Sequence, residues 1–334
     1  MTQVLSTYLD DLTEPDQDAR TELTTRLDDI LRPAGALRRL DELAVFMAGW
    51  QTSPVPQVDK PTILIFASDH GVAAAGVSAY PSSVTEAMMS AFESGLSTVN
   101  AFARISGATV NAVDVGIGRP TGDIRFESAM TETRFLEALN CGREAVSASD
   151  SDLLVLGEMG IGNTTSSAAI SAALLGGNVT EWVGRGTGVN DEGLRRKRDA
   201  VQQAVERIDS AEPGEILRQL GGAEIVAIAG AIIEARHRRI PVVLDGFVVG
   251  AAAAPLYAYN PLALQHCLAA HRSAEIGHRR LLEYMGLEPL LDLNFRLGEA
   301  SGGAAVIPLI AMACAAANDV PLSLIHISEP TRPY

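Results

Sequence analysis

From Pro61 onward the chain repeats one pattern: a short apolar run, a polar turn carrying glycine, then a stretch of small residues with helical character. Thr62 to Ala67 runs into Asp69-His70-Gly71, and Val110 to Val115 into Gly116. Leu153 to Leu156 runs into Gly157, and Val242 to Leu244 into Asp245-Gly246. Strands alternating with helices in this way build a parallel sheet, so the fold class is α/β. Four strands ending in four such turns line the turns up along one edge of the sheet. Open α/β sheets bind their ligands outside the carboxyl ends of the strands, which makes these turns the place to look for chemistry.

Composition supports the same class and narrows the function. With 334 residues, 47% hydrophobic but only 5% aromatic, the chain suits one large domain, or a large domain with a small companion, and closely packed helices on a sheet. A formal net charge of −15 argues against nucleic-acid partners, whose binding draws its affinity from Lys and Arg on phosphates. Cys141, Cys267 and Cys314 show neither paired nor C-x-x-C spacing, so they read as small thiols in a reducing compartment. The N-terminus lacks a basic start followed by an apolar stretch, and the apolar runs fall short of the roughly 20 residues that cross a bilayer. A soluble, cytoplasmic protein without a membrane partner is the expectation.

Before Pro61, helical spacing groups Leu23, Leu27, Ile30 and Leu31 on one face and Leu37, Leu40, Leu43 and Ala44 on another, separated by Pro33-Ala34-Gly35. Gln51 to Lys60, with Pro54 and Pro56, reads as a linker. Val84 to Arg104 reads as one helix stopped by Gly107.

The most informative motif is Gly157-Glu158-Met159-Gly160-Ile161-Gly162-Asn163-Thr164-Thr165, after a strand and before the small-residue helix Ser166 to Leu175. Glycines let the backbone approach an anion, and a helix start offers N–H groups and partial positive charge. Asn163 stands where a P-loop needs Lys, and Thr165 where a dinucleotide fingerprint needs its third glycine. A single-phosphate site with Glu158 beside it remains, against the alternative of a mere tight turn. Gly184-Arg185-Gly186-Thr187-Gly188 has the same composition and is expected to follow a strand as well. Asp69-His70-Gly71 has no second His or carboxylate at ligand spacing, which disfavours a metal, and no G-x-S-x-G occurs. Arg296-Leu297-Gly298-Glu299-Ala300-Ser301-Gly302-Gly303 puts a carboxylate before the helix Ala304 to Ala317, either as a functional group or as a residue favoured by the helix dipole.

Taken together, Ser68-Asp69-His70-Gly71-Val72, Gly76 to Pro81, Gly157 to Thr165, Leu244 to Phe247, His271-Arg272-Ser273-Ala274-Glu275 and Arg296 to Gly303 resemble the nicotinate-nucleotide–dimethylbenzimidazole phosphoribosyltransferase family, from about Leu31 to about Ala317. The resemblance implies a doubly wound, Rossmann-like parallel-sheet domain over 61–285. It also implies a small helical domain from both chain ends, 1–60 with 286–321, and a homodimer. It implies no metal and no redox cofactor, with nicotinate mononucleotide and a benzimidazole-type base as substrates. The family's general base falls on Glu299, with Glu158 as a second catalytic carboxyl. Nucleotide contacts fall on the loop opened by Gly157, at Gly160, Gly162, Asn163 and Thr164, and on Gly184, Gly186 and Lys197. The base pocket falls near Tyr80, Met88 and Leu297. Residues 322–334 depart from the family and read as a non-native tail resembling a translated synthetic adapter. A competing reading is a non-catalytic module that senses a mononucleotide, for which Glu299 would have no use.

Overall fold

The computed structural model describes residues 2–33 and 35–322. Its six strands are β1 (Pro61–Ser68), β2 (Thr109–Gly116), β3 (Leu153–Met159), β4 (Val242–Leu244), β5 (Cys267–His271) and β6 (Pro289–Leu291). They form one sheet in the order β2-β1-β3-β4-β5-β6, with every pairing parallel. Chain order reverses direction between β1 and β3, which opens a crevice at their carboxyl ends.

Helices cover both faces. They are α1 (Thr2–Leu9), α2 (Gln17–Asp29), α3 (Arg38–Gln51), α4 (Ser83–Glu93), α5 (Thr98–Ser106), α6 (Glu132–Ser147) and α7 (Asn163–Leu175). The later ones are α8 (Asp191–Arg207), α9 (Pro213–Leu220), α10 (Ala223–His237), α11 (Phe247–Tyr259), α12 (Ile276–Met285) and α13 (Ser301–Asn318).

Successive strand side chains point to opposite faces, and here both faces are apolar. Leu64, Phe66, Leu154, Leu156, Val242 and Leu244 pack into a core with α6, α7, α10 and α11. Ile63, Ile65, Leu153, Val155 and Val243 pack on the other side, under α5 and α13. This is the doubly wound arrangement expected from the sequence.

Several expectations change. Val84 to Arg104 is two helices, because Gly95 takes a left-handed φ of 72° and Ser97 starts α5 with a capping box closed by Asn100. The sheet also contains two strands not expected from the sequence, β5 and β6, with β6 at the sheet edge. That strand lies within 286–321, the segment assigned from sequence to the helical unit, yet its hydrogen-bonded neighbour is β5. Helix α1 packs on α9 and α11 beside the large sheet, not on α2 and α3. Ile30 is past the end of α2, in an antiparallel bridge with Leu322, and Leu31 N–H donates to Pro321 O at 2.8 Å. Leu322 therefore belongs to the folded body; residues 323–334 of the proposed tail lie outside the described residues. Helix α13 is apolar and long enough to cross a membrane, but it packs between α3, α5 and the strands.

Candidate active site

The site is built at the carboxyl ends of β1 and β3, on the loop that follows β3 and on the turn that precedes α13. Strand β3 continues through Met159, so Gly157 and Glu158 are strand residues rather than loop residues. A Cβ at Gly157 would come within 2.5 Å of the Ala300 backbone and side chain. Gly157 thus seats the turn bearing Glu299 against the sheet, and it lines none of the cavities described below. Its expected nucleotide contact is replaced by a packing role.

Gly160-Ile161-Gly162 crosses from β3 to α7. Gly162 is the N-cap of α7 with φ 103°, a conformation that a side chain resists, and no side chain caps the helix. At the start of α7 the Asn163 and Thr165 N–H groups donate back to Gly160 O at 3.1 Å and Gly162 O at 2.9 Å, while the helix start turns its partial positive charge toward the crevice. Lys197, on α8 and only 2% exposed, donates from Nζ to Thr164 Oγ1 at 2.9 Å. Burial pushes its pKa down, which a phosphate would reverse. Gly186 closes over this pair: a Cβ there would lie 3.2 Å from Lys197 Nζ and 3.4 Å from Thr164 Oγ1. Gly160, Gly162, Thr164, Gly186, Lys197 and Arg185 line a niche of about 50 Å³.

Gly184 is elsewhere. Its loop follows a single 3₁₀ turn, Val179–Glu181, not a strand, and a Cβ there would overlap the Glu275 carboxyl. It shapes Glu275 and lines none of these cavities.

Beside the niche, a cavity of about 80 Å³ is walled by Glu158, Asn163, Thr164, Gly186, His271, Ser273, Glu275 and Glu299. It adjoins a larger cavity of about 590 Å³, lined mainly by Tyr80, Val84, Met88, Phe102, Met159, Ile161, Phe295 and Leu297. Glu299 lines both, at their junction. Arg296 lines both as well, and its guanidinium donates to Gly186 O at 3.3 Å, linking the turn before α13 to the second glycine loop.

The turn before α13 is strained. Gly298, Glu299 and Ala300 have φ of 79°, 58° and 60°. Non-glycine residues in this region cost roughly 1–3 kcal/mol each, and they persist where surroundings over-determine them. Here Asp245 accepts from Gly303 N–H at 2.8 Å, and a Cβ at Gly298 would stand 2.5 Å from Glu158 Oε1. A Cβ at Gly302 would collide with the His271 ring. The turn is thus locked on Asp245, Glu158 and His271, and Glu299 is held only 8% exposed.

Four carboxyls share this buried region. Burial first, then Asp245, pushes the Glu299 pKa up to about 7. Glu158 rises to about 8 through burial, then through Glu224 and Asp245, against a lowering hydrogen bond from the Asn163 amide. Burial thus favours the protonated form of Glu158 and brings Glu299 into the range where it can exchange a proton near neutral pH.

Sequence spacing misses several of these groups. His70 has a carboxylate partner after all: its Nε2 lies 2.7 Å from Glu224 Oε1, across 154 residues. Asp245, His271, Ser273 and Glu275 stood in quoted motifs without a role, and only the sheet order brings their turns together.

Residues 12–322 match a family described as phosphoribosyltransferase. A nicotinate-nucleotide–dimethylbenzimidazole phosphoribosyltransferase of Mesorhizobium japonicum is 48% identical over 302 residues, 90% of each chain. One of the same name from Novosphingobium aromaticivorans is 47% identical over 312 residues, 93% of this chain and 92% of the relative. The crystal structure of CobT from Thermus thermophilus superimposes with a TM-score of 0.88 at 38% identity, over 94% of this chain and 99% of that one. A match across this much of the fold, reaching every element that builds the crevice, makes this chain a member of the nicotinate-nucleotide–dimethylbenzimidazole phosphoribosyltransferase family.

Proposed function

We propose that this protein transfers the 5-phosphoribosyl group of nicotinate mononucleotide to 5,6-dimethylbenzimidazole or a related base, giving an α-riboside 5′-phosphate and nicotinate for cobalamin assembly. The observation that carries the reading is Glu299 at the junction of a small polar cavity and a larger apolar one. The 5′-phosphate takes the niche of Gly160, Gly162, Thr164, Gly186 and Lys197, with Asn163 holding the Glu158 carboxyl beside the ribose. The flat base takes the cavity of Tyr80, Met88 and Leu297.

A ring nitrogen of the base attacks C1′ and the C1′–N bond to the pyridinium breaks. The bonding pair leaves with the pyridine nitrogen, which departs neutral and needs no acid. Attack from the opposite side turns the β-nucleotide into an α-riboside. The new ring is cationic until its second N–H is removed, and Glu299 takes that proton. Held near pKa 7, it is a stronger base than an exposed carboxylate, while a substantial fraction remains ionised at neutral pH. Glu158, neutral at pKa about 8, donates a hydrogen bond toward the ribose without adding a second charge.

Incubation with nicotinate mononucleotide and a panel of bases, followed by chromatography, tests the reading. Equimolar riboside phosphate and nicotinate are expected; nicotinate without riboside phosphate would indicate hydrolysis and overturn it. The same reading takes the enzyme as a homodimer, which sedimentation equilibrium would test.

A further inference from the structure

Under the Gly160–Gly162 loop lies a polar cluster that the reaction above does not use. The His70 and Glu224 side chains are both 0% exposed, with Nε2 and Oε1 2.7 Å apart. His70 Nδ1 lies 3.1 Å from Ser166 Oγ, in the first turn of α7. The Ser68 hydroxyl, at the end of β1, donates to the other Glu224 oxygen and accepts from Glu224 N–H at 3.3 Å. The cluster ties the ends of β1, α7 and α10 together.

The loop rests directly on it. A Cβ at Gly160 would lie 2.8 Å from Ser68 O, 3.1 Å from His70 Nε2 and 3.2 Å from Glu224 Oε1. A Cβ at Gly162 would touch His70 Cβ at 3.4 Å. Gly222, just before α10, admits the pair from below, because a Cβ there would overlap both side chains.

We propose that His70 and Glu224 form a positioning unit that holds the Gly160–Gly162 loop for the nucleotide. The inference rests on the reading of that loop as the nucleotide site. A buried carboxylate with an imidazole partner is costly to build, and uncompensated loss of one partner leaves the other unpaired. The loop backbone sits directly on this pair, so losing either partner disturbs the surface that Gly160 rests against.

The test is Glu224→Gln, which keeps size and hydrogen bonding. The Kd for nicotinate mononucleotide should rise about tenfold, the factor carried by ~1.4 kcal/mol. The KM for the base should stay within about twofold, a change under ~0.5 kcal/mol on the same scale. Should Glu224→Gln fail to fold, Ser166→Ala removes only the Nδ1 contact, and the nucleotide should again weaken more than the base. Equal weakening of both substrates in the folded variant would overturn the proposal. If wild type makes no riboside phosphate, the functional reading has failed instead.

Discussion

At the residue scale, Glu158 and Glu299 place stability and function in opposition. Both fold with pKa values, about 8 and about 7, above the ordinary glutamate value of 4.5. A carboxyl with a raised folded pKa stabilises the protein below its unfolded pKa, and that contribution is lost as pH rises through the folded value. Glu158→Gln should therefore raise the melting temperature at pH 8–9, with the gain shrinking toward pH 5 in a thermal scan series. A gain that does not depend on pH would mean the carboxyl is not neutral in the fold. These two glutamates were legible in sequence because each stands in a glycine-rich motif. Glu224 was not, because its partner His70 is distant in the chain and nothing in Gly222-Ala223-Glu224 marks it. Gly157 and Gly184 show the converse: both stand in glycine-rich motifs, yet each faces a neighbouring side chain or turn instead of the cavity.

At the scale of elements, the proposed function assigns the nucleotide to the start of α7 and the base pocket to the α4 segment. Gly162→Val places a β-branched side chain at φ 103°, so the loop must distort. Calorimetry should show nucleotide affinity falling far more than base affinity; equal losses would count against the phosphate assignment. Met88, on α4, lines the large cavity with Tyr80 and Val84, an adaptable apolar surface that suits several flat bases. Met88→Gln should shift relative use of purine and benzimidazole bases in competition assays, and an unaltered ratio would remove it from the pocket. The elements themselves were legible where an apolar run was long, as at β1, β2 and β3. They were lost where tertiary pairing decided, as at β5 and β6, or where one glycine and one capping serine cut α4 from α5.

At the scale of the whole molecule, the sheet order converts separate motifs into one crevice. Turns after β1, β3, β4 and β5 are far apart in sequence, and the parallel order sets them side by side, with α13 delivering Glu299 across them. The chain ends also meet: Arg26 donates to Ala317 O at 2.9 Å and to Val320 O at 3.0 Å, and Ile30 bridges Leu322. Truncation from Ser323 keeps these contacts and should leave the melting temperature unchanged. Truncation from Val320 removes the Val320 and Leu322 contacts and should lower it. An equal effect of the two truncations would show that those contacts contribute nothing.

The central claim is that Glu299 takes the proton released when the base is glycosylated. Single-turnover rates of riboside phosphate formation, at saturating nucleotide and base across pH 6 to 9, test it directly in wild type and Glu299→Gln. Wild type should speed up as pH rises through about 7, where Glu299 ionises. Glu299→Gln should be slower by about 10² to 10⁴, the usual contribution of a positioned base, with nucleotide affinity intact. A Glu299→Gln enzyme turning over at near wild-type rates throughout that range would contradict the claim and move the search for the base to Glu158.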